Sequence, residues 1–301
     1  MHPPLTDTDV LANEVKERVL DSVGEISVLP SVAAEALQMA RDPECSTAAF
    51  ALLIEKDIKL AAEILAFSNS PLLGGRNNTT SLKHAVVRLG FRQCRNLIMS
   101  SCASSLMKEL DLEEEWIREI LWHHSHTTAT ACTILNRVFD LGFNGEEFTT
   151  GLLHDFGRLL FAIAQPDEFR EIDKLDMLND ELQLQRERKA LSIDHCEIAA
   201  WFFRYSHLPE DIVRVIELHH TDSTTLLDQD PQLAKLVALV RAGDHLANHI
   251  QTSENPSEYD AESNDGLREL AHSKGSGVFQ RFTGSLNEIL KEINANVGEK
   301  P

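Results

Sequence analysis

The sequence predicts an all-α protein, with an N-terminal helical bundle packed on a second helical core. Apolar residues recur at steps of three and four along nearly all of the 301 residues, and no run alternates with period two. Helix start and stop signals punctuate those runs. Hydrophobic residues make up 43% and charged residues 25%, an ordinary balance for a chain long enough to bury a core.

The elements follow in order. Pro30-Ser31 opens a helix that the Asp42-Pro43 pair closes. Ser46 and Asp57 are the N-caps of the next two, and the loop Ser70-Pro71-Leu72-Leu73-Gly74-Gly75 ends the second. Ser81 caps another, Gly90 terminates it, and a long helix runs from about Phe91 to Leu110. The acidic run Asp111 to Glu115 opens a further long helix from Trp116 to Val138, because negative charge suits the positive end of the helix dipole. Helices near 145–163, 167–190, 195–206, 210–220 and 231–250 follow. Thr252 to Asp265 is polar and reads as a loose linker before a final amphipathic helix from about Gly277 to Asn294. The expected division is a bundle at 1–112, a core at 113–255, and a linker with its helix at 256–301. No Gly-, Ser- or Pro-rich tether separates the first two, so they are expected to form one structural unit.

The chain carries 28 basic and 48 acidic side chains, a formal net charge of −20. Such a field repels phosphate backbones and anionic lipid, which argues against nucleic acid and membrane as partners. The simplest account of the acidity is a solvated surface. The five cysteines, Cys45, Cys94, Cys102, Cys132 and Cys196, form no C-x-x-C pair and are odd in number. They read as reduced core residues of a cytoplasmic protein. The start MHPPLTDTDVLANEVKERVL has no basic segment leading into an apolar run. No stretch of about 18 apolar residues occurs.

The chemistry lies in which helix faces carry ionisable residues. From Trp116, the apolar stripe runs Ile117, Ile120, Leu121, Ala131, Leu135 and Val138, and His124 and Thr128 fall inside it. His123 and His126 fall toward other faces. Asp155, beside His154, shares the stripe of Leu152, Phe156 and Leu159. His195 precedes Ile198, Ala199 and Phe202; His219 and His220 follow Ile216; Asp244 continues Leu233, Val237 and Val240. A lone buried histidine or aspartate is more often a hydrogen-bonded core residue than a ligand. Seven on inward stripes would cost several kcal/mol per group if left unpaired. A divalent metal relieves that cost, since neutral imidazoles and carboxylates suit zinc, iron and manganese. The competing account is a polar network without an ion, or an eroded ancestral site. Cys132 and Cys196 lie near the cluster in sequence with nothing visible to activate them. Ser125 adjoins His124 but no strained nucleophile elbow accompanies it. Trp122, Trp201 and Phe202 read as packing.

These residues resemble the HD superfamily of helical metal-dependent phosphohydrolases, whose His-Asp pair is His154-Asp155 within Gly151-Leu152-Leu153-His154-Asp155-Phe156-Gly157-Arg158-Leu159. The closer resemblance is to the HDOD group, bacterial signalling proteins with an HD-related output domain. It rests on Leu121-Trp122-His123-His124-Ser125, Asp194-His195, Leu208-Pro209 and His219-His220. In the first part it rests on Leu29-Pro30, Phe67-Ser68-Asn69-Ser70 and Ala85-Val86-Val87-Arg88-Leu89-Gly90. The resemblance covers roughly residues 22–250 and implies an HD-type helical core. It implies that His124, His154, Asp155 and Asp244 form the basic metal quartet, with His195, His219 and His220 as the further ligands of the HD-GYP phosphodiesterases. Many HDOD domains have lost such ligands, and this chain keeps them. It lacks the Gly-Tyr-Pro motif, having Thr221-Asp222-Ser223 after the histidine pair, and Arg158 stands where that class has lysine.

Two readings follow. In the first, the chain is a regulatory HDOD protein whose core binds one or two ions of iron, manganese or zinc, while the bundle contacts a signalling protein partner. In the second, it is a metal-dependent phosphohydrolase acting on a nucleotide or cyclic dinucleotide. Its metal pair would activate water, Arg158 would clamp phosphate, and His195 or one of the paired histidines, His219 and His220, would lie near the leaving group of a phosphorylated small-molecule ligand. Family habit and the missing motif favour the first.

Overall fold

The computed structural model describes residues 7–24, 29–42, 44–70, 79–175, 180–253, 258–274 and 276–297. Every regular element among them is helical, and no strand occurs there. The expected turns at Pro43 and at Pro71 to Gly75 lie outside the described residues. The helices are α1 (Asp7–Val23), α2 (Ser31–Met39), α3 (Thr47–Ile54), α4 (Ile58–Ser68), α5 (Leu82–Glu109), α6 (Glu115–Phe139), α7 (Glu146–Leu153) and α8 (Phe156–Ala164). They continue with α9 (Pro166–Ile172), α10 (Asp180–Leu191), α11 (His195–Tyr205), α12 (Glu210–Leu218), α13 (Pro231–Thr252), α14 (Asp265–Lys274) and α15 (Ser276–Val297).

The chain separates into two units, residues 26–109 and residues 1–25 with 110–301. The first unit holds α2 to α5. Ser46 caps α3 through the Ala49 amide, and Asp57 caps α4 through those of Lys59 and Leu60, as their residue types require. Ala33, Ala36, Phe50, Ile54, Leu60, Ile64, Val86, Cys94 and Ile98 form its core. Polar ties explain two of the family segments: Arg88 donates to the Ser68 carbonyl at 2.9 Å, and Asn69 brackets Thr79 with bonds of 2.7 and 2.8 Å. Gly90 ends the helix from Leu82 and a second begins at Phe91, as expected: inside the span of α5 its backbone is non-helical, with φ +76°, a conformation glycine adopts without steric penalty.

The second unit holds α1 and α6 to α15. Its apolar centre joins α6 and α13 to α14 and α15 through Leu135, Phe139, Leu236, Val240, Leu267, Leu270, Phe282 and Ile289. Phe139 and Phe282 stack at 5.5 Å. Three expectations need correction here. The first helix belongs with this unit, not with a bundle at 1–112: Val15 and Val19 are buried, Arg18 donates to Gln165 at 2.5 Å, and Lys16 lies 5.9 Å over the Trp201 ring. The stretch 258–265 is docked where a loose linker was expected. Tyr259, Ala261 and Asn264 are buried, and Asn264 donates to the Ala242 carbonyl and the Tyr259 hydroxyl. The helix expected at 167–190 is two, α9 and α10, because Asp173 leaves helical geometry to meet Arg158.

Candidate metal centre

The helix expected over 145–163 is also interrupted, and the interruption makes the site. α7 ends at Leu153 and α8 starts at Phe156, so His154 and Asp155 sit in the turn between them. The turn presents both side chains to one centre instead of successive helix faces. Gly157 then brings α8 against the start of α11: a Cβ there would stand 1.9 Å from the His195 carbonyl oxygen. Only the bare backbone of glycine fits that approach.

The predicted residues converge. His124 comes from α6, Asp244 from α13, His195 from the first turn of α11, and His219 and His220 from the end of α12. His124 Nε2 lies 3.0 Å from Asp244 Oδ1, 3.3 Å from His154 Nε2 and 3.6 Å from Asp155 Oδ2. His154 Nε2 lies 3.6 Å from Asp155 Oδ1 and 3.7 Å from Asp244 Oδ1. On the other side, Asp155 Oδ1 is 3.4 Å from His195 Nε2 and 3.7 Å from His219 Nε2. His220 Nε2 is 3.2 Å from His195 Nε2. Asp155 therefore stands between two groups of donors.

The histidine tautomers are set from behind. Nδ1 of His154 donates to the Gly151 carbonyl at 2.9 Å and Nδ1 of His219 to the Ile216 carbonyl at 2.7 Å. Nδ1 of His195 donates to Glu187 at 2.8 Å, and Nδ1 of His124 to Gln251 Oε1 at 3.2 Å. With the proton on Nδ1, each neutral ring turns an Nε2 lone pair toward the others. Lone pairs 3.3 Å apart, as in His124 and His154, repel unless cationic charge lies among them. His219 Nε2 is buried with no hydrogen-bond partner, the mark of a polar atom awaiting a ligand. The donor set, imidazole nitrogen with carboxylate oxygen and anchored outer partners, is that of divalent metal sites.

The electrostatics agree. Burial works against charge on Asp155, but His154 and Arg158 outweigh it and hold the carboxyl well below its ordinary range. Asp244 is likewise held low against burial by its hydrogen bonds to His124 and His154. Burial opposes the charge on His124 while Asp244 and Asp155 raise it. Two acids that stay ionised among imidazoles attract protons or a metal ion to the same centre.

The other predicted residues divide. Arg158 is buried, with Nε and Nη2 on Asp173 at 2.8 and 2.7 Å and Nη1 on Asp155 at 3.0 Å. That geometry makes it a support for Asp155, in contrast to the phosphate clamp expected. His195, the candidate near a leaving group, faces Asp155 from within the donor cluster. His126, off the stripe as expected, packs its ring against Trp122 and Phe148. His123 is off the stripe yet only 8% exposed, because α6 is buried on more than one side. Val138, placed on the inner stripe, is 38% exposed, one residue before α6 ends. Sequence reasoning missed Glu187, Asp173 and Gln251, which lie on polar segments with no periodic signal. It also set aside Cys196, whose sulfur lies among the donors of His195, His219 and His220.

An all-helical unit with a His-Asp turn at a buried donor cluster defines the HD class of fold. Residues 26–222, well over half of the chain, match the HDOD domain, and the chain belongs to that family. It is 26% identical over 216 residues to an uncharacterized protein from Treponema pallidum (strain Nichols), covering 71% of this chain and 40% of that one. The chain thus spans well under half the length of that curated relative. An HDOD domain protein of unknown function from Geobacter sulfurreducens superposes with TM-score 0.69 at 21% identity, covering 95% of this chain and 98% of its own. A candidate phosphohydrolase from Shewanella amazonensis does so with TM-score 0.62 at 19% identity, covering 93% and 98%. At these identities the likeness shows the fold. No helix among the described residues is long and apolar enough to cross a membrane.

Proposed function

We propose that the chain is a regulatory HDOD protein whose core holds one or two divalent ions of iron, manganese or zinc. The observation that carries this reading is the convergence of four Nε2 atoms whose Nδ1 atoms are each tied to an acceptor. His124, His154, Asp155 and Asp244 would hold one ion and His195, His219 and His220 a second, with Asp155 shared. When bound, the metal supplies concentrated positive charge at the centre and ties together helices that otherwise meet through polar groups. The chain's own residues do the positioning: Arg158 fixes Asp155, Glu187 orients His195, and Gln251 orients His124. A regulatory role is supported by how little room lies over the cluster. The cavity over the cluster, lined by Gln183, His220, Asp244 and Asn248, has room for about 10 Å³, the space of one water. The bundle at 26–109 holds no metal-type donor cluster among its described residues and exposes Leu52, Ile58 and Val87. That suits contact with a signalling protein partner.

The intact donor set favours one second reading, a metal-dependent phosphohydrolase taking a phosphorylated small molecule. Metal analysis of purified protein, followed by a phosphodiester substrate screen on metal-loaded protein, separates the two. Bound metal without turnover is the expected result. Metal-dependent hydrolysis would establish the enzyme, and protein that stays metal-free after incubation with each ion would sink both readings.

A further inference from the structure

Resting on the metal-binding reading, we infer that Cys196 is itself a metal ligand, which makes the His195, His219 and His220 side of the centre a mixed imidazole–thiolate site. Cys196 is buried in the first turn of α11, beside His195. One donor atom from each of His195, Cys196, His219 and His220 lies within 4.8 Å of every other, the spread of ligands around a single ion. Asp155 Oδ1 adds an oxygen on the same side. A second observation points the same way: the fully buried Nε2 of His219 has no hydrogen-bond partner and faces this group.

The backbone holds the sulfur in place. Asp194 and Glu197 form a capping box at the start of α11, and Glu187 fixes His195 through both its amide and its ring at 2.8 Å. Thiolate is the form that binds metal. Binding would release the thiol proton to solvent and form one sulfur–metal bond, with no change of oxidation state. The other cysteines do not share these surroundings. Cys132 donates its thiol to the Leu239 carbonyl, while Cys94 and Cys102 lie in the apolar core of the first unit. Thiolate with imidazole favours zinc and iron(II), whereas carboxylate-rich sites suit magnesium and manganese. The two sides of the centre therefore differ in softness, His124, His154, Asp155 and Asp244 being the harder set.

Cobalt(II) and zinc loading of the full chain tests this. Cobalt-loaded wild type is expected to show visible bands together with a near-ultraviolet sulfur-to-cobalt charge-transfer band. Cys196→Ser should lose the charge-transfer band and one of its ions, and Cys132→Ser should keep both. X-ray absorption of zinc-loaded wild type needs no variant and should find one sulfur at about 2.3 Å. Cobalt uptake with no charge-transfer band and no sulfur shell, or a band that survives Cys196→Ser, would overturn the inference and leave the metal centre standing. No uptake of either ion by wild type would overturn the centre and this ligand together.

Discussion

At Asp155 one carboxylate faces three directions: His124 and His154 on one side, His195 and His219 on the other, and Arg158 behind. Asp155→Ala is therefore expected to strip metal from both groups of donors, with metal content in purified protein falling close to zero. Retention of one full ion would show that the two groups are independent. His124 and its neighbours make a sharper comparison. His124→Ala removes an Nε2 3.0 Å from a buried carboxylate, so it should cost metal and also about 3–5 kcal/mol of stability. His123→Ala removes a buried ring that does not face the cluster, so it should lower the thermal midpoint while leaving metal content unchanged. Equal metal loss at both positions would overturn the assignment. The inward stripe placed His124 in the centre and His126 outside it, since helical phase is a local property. It could not place Glu187 or Asp173. Their partners lie eight residues later in a different helix and fifteen residues earlier, and such pairing appears only once the elements have packed.

Among the elements, the breaks matter more than the helices. Periodicity put His154 and Asp155 inside one helix, because Leu152, Phe156 and Leu159 keep helical phase across a two-residue turn. Burial was legible there; the turn that aims both side chains at one centre was not. Gly157 shows why a residue next to such a turn can be decisive. A methyl group at that position would drive α8 and α11 apart at the His195 carbonyl. Gly157→Ala is expected to cost at least about 1–3 kcal/mol by overpacking and to lose metal, because His195 would move away from Asp155. Denaturant unfolding together with metal analysis checks both. A stable variant with full metal content would mean that α11 can shift without disturbing the centre. The caps were read correctly at Ser46 and Asp57 because capping depends on residue type and neighbours in sequence.

At the scale of the whole molecule, all-helical architecture was legible from periodicity, while the grouping of helices was not. Apolar stripes on α1, α14 and α15 show that these helices bury a face, not which core receives it. The core at Phe139, Leu236 and Val240 continues into Leu267, Phe282 and Ile289. A chain ending at Ser253 would expose that face and is expected to aggregate or lose cooperative unfolding. A soluble, cooperatively folding product would show α14 and α15 to be dispensable. Stability against pH gives the most direct test of what fills the centre. In protein stripped with a chelator, burial pushes His219 down, but the Cys196 sulfur and Asp155 beside it raise it to about 10. A histidine raised in the folded state contributes stability that is complete below its ordinary 6.5 and is lost as pH rises through 10. Asp155 and Asp244, held low, contribute above the ordinary carboxylate value and lose that contribution only in strong acid. Stripped protein should thus lose stability at this centre from neutral to alkaline pH. Metal-loaded protein should behave in the opposite sense, because metal competes with protons for the same nitrogens and binds more tightly as pH rises. Saturation at 100 times Kd adds about 2.7 kcal/mol. The gap in thermal midpoint between zinc-loaded and stripped protein is therefore expected to widen steadily from pH 6 to pH 9. Groups outside the centre, such as His126 and His245, titrate alike in both forms and cancel in the difference. A gap that stays constant across that range would mean that protons and metal do not compete at these histidines, and the assignment of their Nε2 atoms as ligands would fall.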